Sequence, residues 1–197
     1  MNRGEAIQKK LDSFLEKGNT FVDIGAFIGI ESIIAANKVG KDGIVYSFEP
    51  ITDNYEALYK NISQFPNILS FKRAFLLEDD EVKMYISDTD PKDNRLYDFE
   101  GASNYETVKT IGLNDVYFEH VNLIKISAQG MEDFIVEGGT KIIEIFRPYL
   151  MIDFNTKLIE ESGSDPSDVL SYYDKMDYAW EFLYKNDEDA VLWMEPE

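Results

Sequence analysis

The stretch Phe21-Val22-Asp23-Ile24-Gly25-Ala26-Phe27-Ile28-Gly29 decides the reading of this chain. An apolar run over 20–24 carries one acid and breaks at a glycine. A helical spacing then takes over at about residue 28 and continues to 37. This predicts a buried strand, a tight turn and a helix. Ligands of open α/β sheets bind at the carboxyl ends of such strands, and a glycine there removes the Cβ that would hold a ligand off the backbone. A Walker loop would need Gly-x4-Gly-Lys-Ser/Thr, which is absent. A dinucleotide fingerprint counted from Gly25 would need glycine where Phe27 and Ile30 stand. What remains, acid-x-Gly-x-x-x-Gly, suits a nucleoside ligand without a pyrophosphate.

Working outward, residues 44–48 form a second apolar strand that ends on Glu49-Pro50. Glu49 follows the second strand at the spacing of a carboxylate that grips a ribose diol. A helix is expected over 52–64, with Thr52 or Asp53 as its N-cap, and a third strand over 68–72. The β-α-β-α-β order implies a parallel sheet with right-handed crossovers and helices on both faces. A helix over 6–15 precedes it.

The middle is less regular. Residues 81–87 fit an edge strand, 88–103 a loop or lid rich in Asp, Asn, Gly and Pro, and 105–111 another strand. The regular pattern resumes with strands over 121–126 and 149–154. Between them, 131–146 is one helix, or two broken at Gly138-Gly139, and a further helix lies near 166–175. The apolar runs 178–184 and 190–194 flank a short polar turn, which predicts a C-terminal antiparallel β-hairpin. No repeat, linker or second domain is visible, so residues 1–197 are expected to form one domain.

The segments FVDIGAFIGIESIIAANKVGKDGIVYSFEPITDNYEAL (21–58), VNLIKISAQGMEDFIVEGG (121–139) and RPYLMIDF (147–154) together resemble the FkbM family of methyltransferases. The resemblance runs from about residue 19 to 154. It implies a Rossmann-like class I methyltransferase fold, S-adenosylmethionine (SAM) as cofactor with S-adenosylhomocysteine (SAH) as product, and O-methylation of a sugar hydroxyl in a glycan or glycoconjugate. Carried over, Asp23, Gly25, Ala26 and Gly29 line the methionine end of SAM, Glu49 holds the ribose, and Asn54 matches the asparagine of the next helix. Lys125, Gly130 and Glu132 match the second motif. Ser127, grouped with the cofactor residues, stands where the family has aspartate, and Gln129 where it has glutamate. Both changes remove the hard oxygen ligands a divalent metal would want, so no metal is expected. Family habit also points to glycosyltransferases as fused or cooperating neighbours, and the short lead-in suggests a domain cut from a longer protein.

Composition narrows the field further. Nineteen Lys and Arg against 38 Asp and Glu give a net charge of −19, which repels nucleic acid and anionic membranes. There is no cysteine and one histidine, His120, so disulfides, thiolate nucleophiles and His-pair metal sites are excluded. No apolar run is long enough to cross a membrane, and the first residues do not read as a signal peptide, so a reducing, cytoplasmic setting is expected. For chemistry at a hydroxyl, Asp153 is the leading base and Lys125 a stabiliser of the developing oxyanion. An ion pair with Glu132 is the plain alternative for Lys125. Arg95, Tyr97, Ser103 and Asn104 in the irregular loop, with Glu132, are the candidate acceptor contacts. The competing reading is a non-catalytic module that keeps the fold and cofactor pocket, motivated by Ser127 and Gln129. A nucleotide-sugar or NAD enzyme is disfavoured by the glycine spacing.

Overall fold

The computed structural model describes all 197 residues. Helix α1 (Arg3–Phe14) leads into strand β1 (Thr20–Ile24), helix α2 (Ile30–Val39), strand β2 (Ile44–Phe48), helix α3 (Thr52–Ile62) and strand β3 (Ile68–Phe71). Three strands, β4 (Ala74–Leu76), β5 (Glu81–Ser87) and β6 (Ala102–Gly112), come next. The chain then builds β7 (Leu123–Ile126), α4 (Glu132–Gly138), α5 (Thr140–Phe146), β8 (Tyr149–Asn155), α6 (Thr156–Glu161) and α7 (Pro166–Tyr173), and closes with β9 (Tyr178–Lys185) and β10 (Asp189–Pro196).

Seven strands form the main sheet in the order β3-β2-β1-β7-β8-β10-β9. β1 pairs in parallel with both β2 and β7, so the strand order reverses at β1. β10 runs antiparallel between β8 and β9, as the hairpin reading requires. All five residues of β1 and all four of β7 are buried, which is why both read as continuous apolar runs. One core layer gathers Val22, Ile124, Ile152 and Leu192, and the opposite layer gathers Phe21, Leu123, Met151 and Val191. The alternation along each strand sends successive side chains to opposite faces.

Residues 74–112 build a second, three-stranded sheet, β4-β6-β5, outside the main one. The sequence marks β5 and most of β6 but gives no sign that they leave the main sheet. It also misses β4 and α6, both too short for a period to register. α6 starts where the Asn155 side chain accepts from Leu158 N. The helix over 131–146 does break at Gly138-Gly139.

The expected side-chain cap of α3 is corrected. Its N-cap is Ile51, buried against Ala74 and Val108, and neither Thr52 nor Asp53 caps the helix. Two carboxylates from elsewhere take the first amides instead: Glu49 Oε1 accepts from Ile51 N at 3.0 Å and Glu106 Oε2 from Thr52 N at 3.1 Å. Glu106 also accepts from Lys72 Nζ at 2.8 Å. Burial pushes the Glu106 carboxyl up, but the bonds from Lys72 and Thr52 outweigh it and hold it below the usual carboxylate range. Replacing Glu106 with alanine should therefore cost about 1 kcal/mol, the worth of a helix cap. That stabilisation is present above the unfolded carboxylate value and lost as pH falls through the lowered folded one. Denaturant melts of Glu106→Ala and wild type should converge as the solution is acidified.

Candidate active site

β1 hands over to α2 through a turn that reverses the chain in five residues. Gly25, Phe27 and Gly29 all take positive φ, at 75°, 51° and 87°. Gly25 and Ala26 donate their amides to Phe48 O at 3.0 and 2.9 Å, which fastens the turn to the end of β2. A Cβ on Gly25 would lie 1.9 Å from the carbonyl oxygen of Ser127, and one on Gly29 would lie 2.6 Å from Leu58 Cδ1. The two glycines are thus already demanded by packing, Gly25 against the backbone after β7 and Gly29 against α3. The ligand's approach is a second use of Gly25 alone. Gly29 is buried on α3 and does not reach the cavity.

Beside this turn opens a cavity of about 390 Å³ at the carboxyl ends of β1, β2, β7 and β8. Gly25, Ala26, Glu49, Asn54, Lys125, Ser127, Glu132 and Asp153 all line it. Six come from the ends of four strands or the turns after them, which brings together residues far apart in sequence. Asp23 does not line it. It is fully buried behind the turn, where its Oδ2 accepts from Ser32 Oγ at 2.6 Å and its Oδ1 from Lys125 Nζ at 3.0 Å. Ser47 Oγ donates on to Ser32 Oγ at 2.8 Å, closing a buried polar chain across β1, α2 and β2.

Lys125 is therefore paired with Asp23, not with Glu132, and its ammonium also donates to Gly25 O at 3.3 Å. Burial works against its charge, but Asp23, Glu31 and Asp153 outweigh it and raise its pKa. It stays a cation at the back of the cavity. Glu132 is buried too, and accepts from Ala128 N at 2.7 Å and Gly130 N at 2.9 Å. It holds the turn after β7 in shape. Burial pushes its carboxyl up to about 8, with Asp153 adding repulsion and the amides opposing.

Glu49, only 5% exposed, turns toward the glycine turn. Its Oε2 accepts from Phe27 N and its Oε1 from Ile51 N, both at 3.0 Å, and Asn54 Nδ2 approaches Oε1 at 3.5 Å. Burial raises its proton affinity, and the bonds from Ile51, Phe27 and Asn54 work the other way. Each oxygen uses one backbone amide and keeps acceptor capacity toward the cavity. Two adjacent acceptors are what a vicinal diol needs, so the residues present fit a ribose. Asn54 also bonds Pro91 O at 3.0 Å, tying the lid to α3.

Asp153 sits beside Ser127, where β7 and β8 end side by side. Its Oδ2 accepts from Ser127 Oγ and from the guanidinium of Arg3, whereas its Oδ1 accepts no hydrogen bond. Arg3 and Asp189, which reaches it from β10, both line the cavity and were not marked in the sequence. No local pattern could have revealed them, since the pairing joins residues 150 positions apart.

The lid reading needs correction in its residues. Arg95 and Tyr97 do not line the cavity. Arg95 holds Asp93 by two bonds, at 2.8 and 2.9 Å, and also pairs with Glu161, while Tyr97 OH donates to Leu158 O at 3.3 Å. Ser103 bonds Asp88 at 2.6 Å and Asn104 is exposed on β6. The lid residues that do face the cavity are Asp90, Lys92, Asn94 and Leu96. Residue 95 bridges to Tyr85, and the rest of the segment is turn and bend, so no sequence period marked which of its residues face the cavity. His120 lies away from the site, with Nε2 at 3.0 Å from Thr20 Oγ1 at the opposite end of β1.

Two consequences are measurable. Gly25→Ala should destabilise the fold by roughly 3–5 kcal/mol, because a rigid backbone carbonyl blocks the Cβ, while Gly29→Ala should cost nearer 1–2 kcal/mol, because Leu58 can rotate. Equal losses in urea denaturation would contradict this. For Glu132, the folded value near 8 exceeds the usual 4.5, so its contribution is complete below about 4.5 and is lost as pH rises toward 8. The stability gap between pH 5 and pH 8 should narrow in Glu132→Gln.

Comparison with known proteins agrees with this geometry. The methyltransferase FkbM domain matches residues 23–179. The methyltransferase FkbM of Methylobacillus flagellatus KT superposes with a TM-score of 0.61 at 18% identity, over 91% of this chain and 43% of that one. This chain thus spans less than half the length of that relative. A protein of Streptococcus mutans solved in complex with SAH superposes at 0.63 with 12% identity, over 99% and 98% of the two chains. An rRNA methylase from Streptococcus thermophilus does so at 0.64 with 13% identity, over 100% and 97%. No curated protein matches the sequence. With the family domain covering residues 23–179, most of the chain, this chain belongs to the FkbM methyltransferase family.

Proposed function

We propose that this domain transfers a methyl group from SAM to a sugar hydroxyl of a glycan or glycoconjugate. The observation that carries the proposal is one cavity with a buried, amide-held carboxylate at one side, Glu49, and a carboxylate with an unbonded oxygen at the other, Asp153. SAM supplies a methyl carbon activated by its sulfonium. Glu49 takes the ribose hydroxyls, and the bare backbone from Gly25 to Phe27 leaves room for the chain that joins ribose to sulfur. With SAM bound, methyl transfer to the acceptor oxygen would leave the carbon–sulfur pair on sulfur, and Asp153 Oδ1 would take the hydroxyl proton. Holding the two reactants in line and removing that proton are the two contributions the residues can make. Lys125 adds a fixed positive charge near the reacting oxygen.

A sugar is a better match than RNA, the substrate class in one neighbour's name, because a net charge of −19 opposes a phosphate backbone. A glycosyltransferase that makes the acceptor remains the proposed partner. The second reading, a module that binds SAM without turnover, draws on the pairing of Asp153 with Arg3 and of Lys125 with Asp23.

Titration calorimetry with SAM should give saturable heat, and Glu49→Ala should weaken binding about 10- to 100-fold, the worth of two charge-assisted hydrogen bonds. Absence of heat, or full affinity in Glu49→Ala, would refute the cofactor assignment. Methyl transfer to a panel of methyl glycosides, abolished in Asp153→Ala, separates the catalytic reading from the binding module.

A further inference from the structure

We propose that Arg3 is a positioning residue for methyl transfer: its guanidinium, set between Asp153 on β8 and Asp189 on β10, locks the Asp153 carboxylate with Oδ1 turned to the acceptor. The inference rests on the proposed role of Asp153 as base and adds what controls that base.

Arg3 opens α1, which lies outside the βαβ units that build the cavity. The helix is nevertheless a fixed platform. Ile7, Leu11 and Leu15 pack into the core layer that holds Phe21, Val191 and Trp193, and Lys10 lies 4.1 Å over the Trp193 ring. Its start is sharply defined by a capping box, with Asn2 N donating to Glu5 Oε2 and Glu5 N to Asn2 Oδ1, both at 2.9 Å. The platform therefore delivers the Arg3 side chain to one place.

That place is unfavourable for the helix itself. A cation at the first helical position opposes the macrodipole, which favours acids there. The partners that offset this cost are not in α1. Arg3 Nη2 bonds Asp153 Oδ2, and Arg3 Nε lies 3.7 Å from Asp189 Oδ2. Ser127 Oγ donates to the same Oδ2. Both donors thus crowd one oxygen of Asp153 and leave Oδ1 unbonded on a residue that lines the cavity. A planar guanidinium bridging two strands restricts a carboxylate's rotation more than a single hydroxyl does. Without Arg3, Ser127 alone would hold the carboxylate, and Asp153 and Asp189 would repel each other across the mouth.

In the transfer step, the hydroxyl oxygen forms its bond to the methyl carbon, the carbon–sulfur pair returns to sulfur, and the proton moves to Oδ1. Arg3 takes no proton and touches no reacting atom. Misplacing a reacting group by about an ångström costs on the order of 100-fold in rate, so the effect belongs in kcat and not in SAM binding.

Two measurements decide it. In crystals of the SAH complex, Arg3→Gln should show Asp153 rotated away from its wild-type orientation, and Arg3→Lys should keep it. In transfer of labelled methyl from SAM to methyl glycosides, Arg3→Gln should lower kcat about 10- to 100-fold with the KM for SAM within about two-fold, and Arg3→Lys should recover part of the loss. Added to Asp153→Asn, Arg3→Gln should cause no further loss. The proposal is overturned by an unmoved Asp153 in Arg3→Gln, by an unchanged kcat, or by additive losses. A wild-type rate in Asp153→Asn also overturns it, and traces the failure to the base and not to Arg3. If no methyl glycoside is turned over, the crystal comparison decides alone.

Discussion

The Ser127 carbonyl oxygen occupies the space where a Cβ on residue 25 would lie, 1.9 Å away. This contact continues the parallel pairing of β1 and β7, whose register sets Lys125 beside Asp23, where its ammonium donates to Asp23 and to the Gly25 carbonyl. Buried charges of this kind are tolerated only in pairs with their hydrogen-bonding capacity filled, and Ser32 and Ser47 complete the filling. The turn that follows is thereby fixed from behind. Its front face, from Gly25 to Phe27, is left free to meet a ligand and the Glu49 carboxylate.

The cavity divides into two electrostatic regions. On one side Glu49 forms no ion pair and is held by amides, with Lys125 lowering its proton affinity through space. On the other, Asp153, Asp189 and Glu31 surround Arg3. The acids named there outnumber Arg3. The Ser127 hydroxyl bonds Asp153 directly and helps to orient its carboxylate.

The second sheet is an addition to the frame, not part of it. β5 and β6 carry the lid between them, and the lid is latched at its base by Asn54 to Pro91 O and along its outer face by Arg95 to Asp93 and Glu161. Glu106 of β6 caps α3, so the same sheet stabilises the helix on which Asn54 sits. Lid and cofactor side are mechanically joined through one helix.

The sequence by itself determined which runs become the strands of the main sheet, the glycine turn, Glu49 at the end of β2 and the C-terminal antiparallel hairpin. These are written in local periods and spacings, because strands buried on both faces are largely apolar, with Asp23 and Lys125 tolerated only as a pair, and a turn with positive φ favours glycine. Only the tertiary structure decided which polar groups meet. Lys125 joins Asp23 and not Glu132, Arg3 reaches Asp153 from the opposite end of the chain, and α3 is capped from β6. The lid falls between these cases, since its composition marked it as a loop but did not say which residues face the cavity. Ion pairs and caps depend on through-space distance, and a one-dimensional pattern carries no information about distance between segments until the sheet has folded them together.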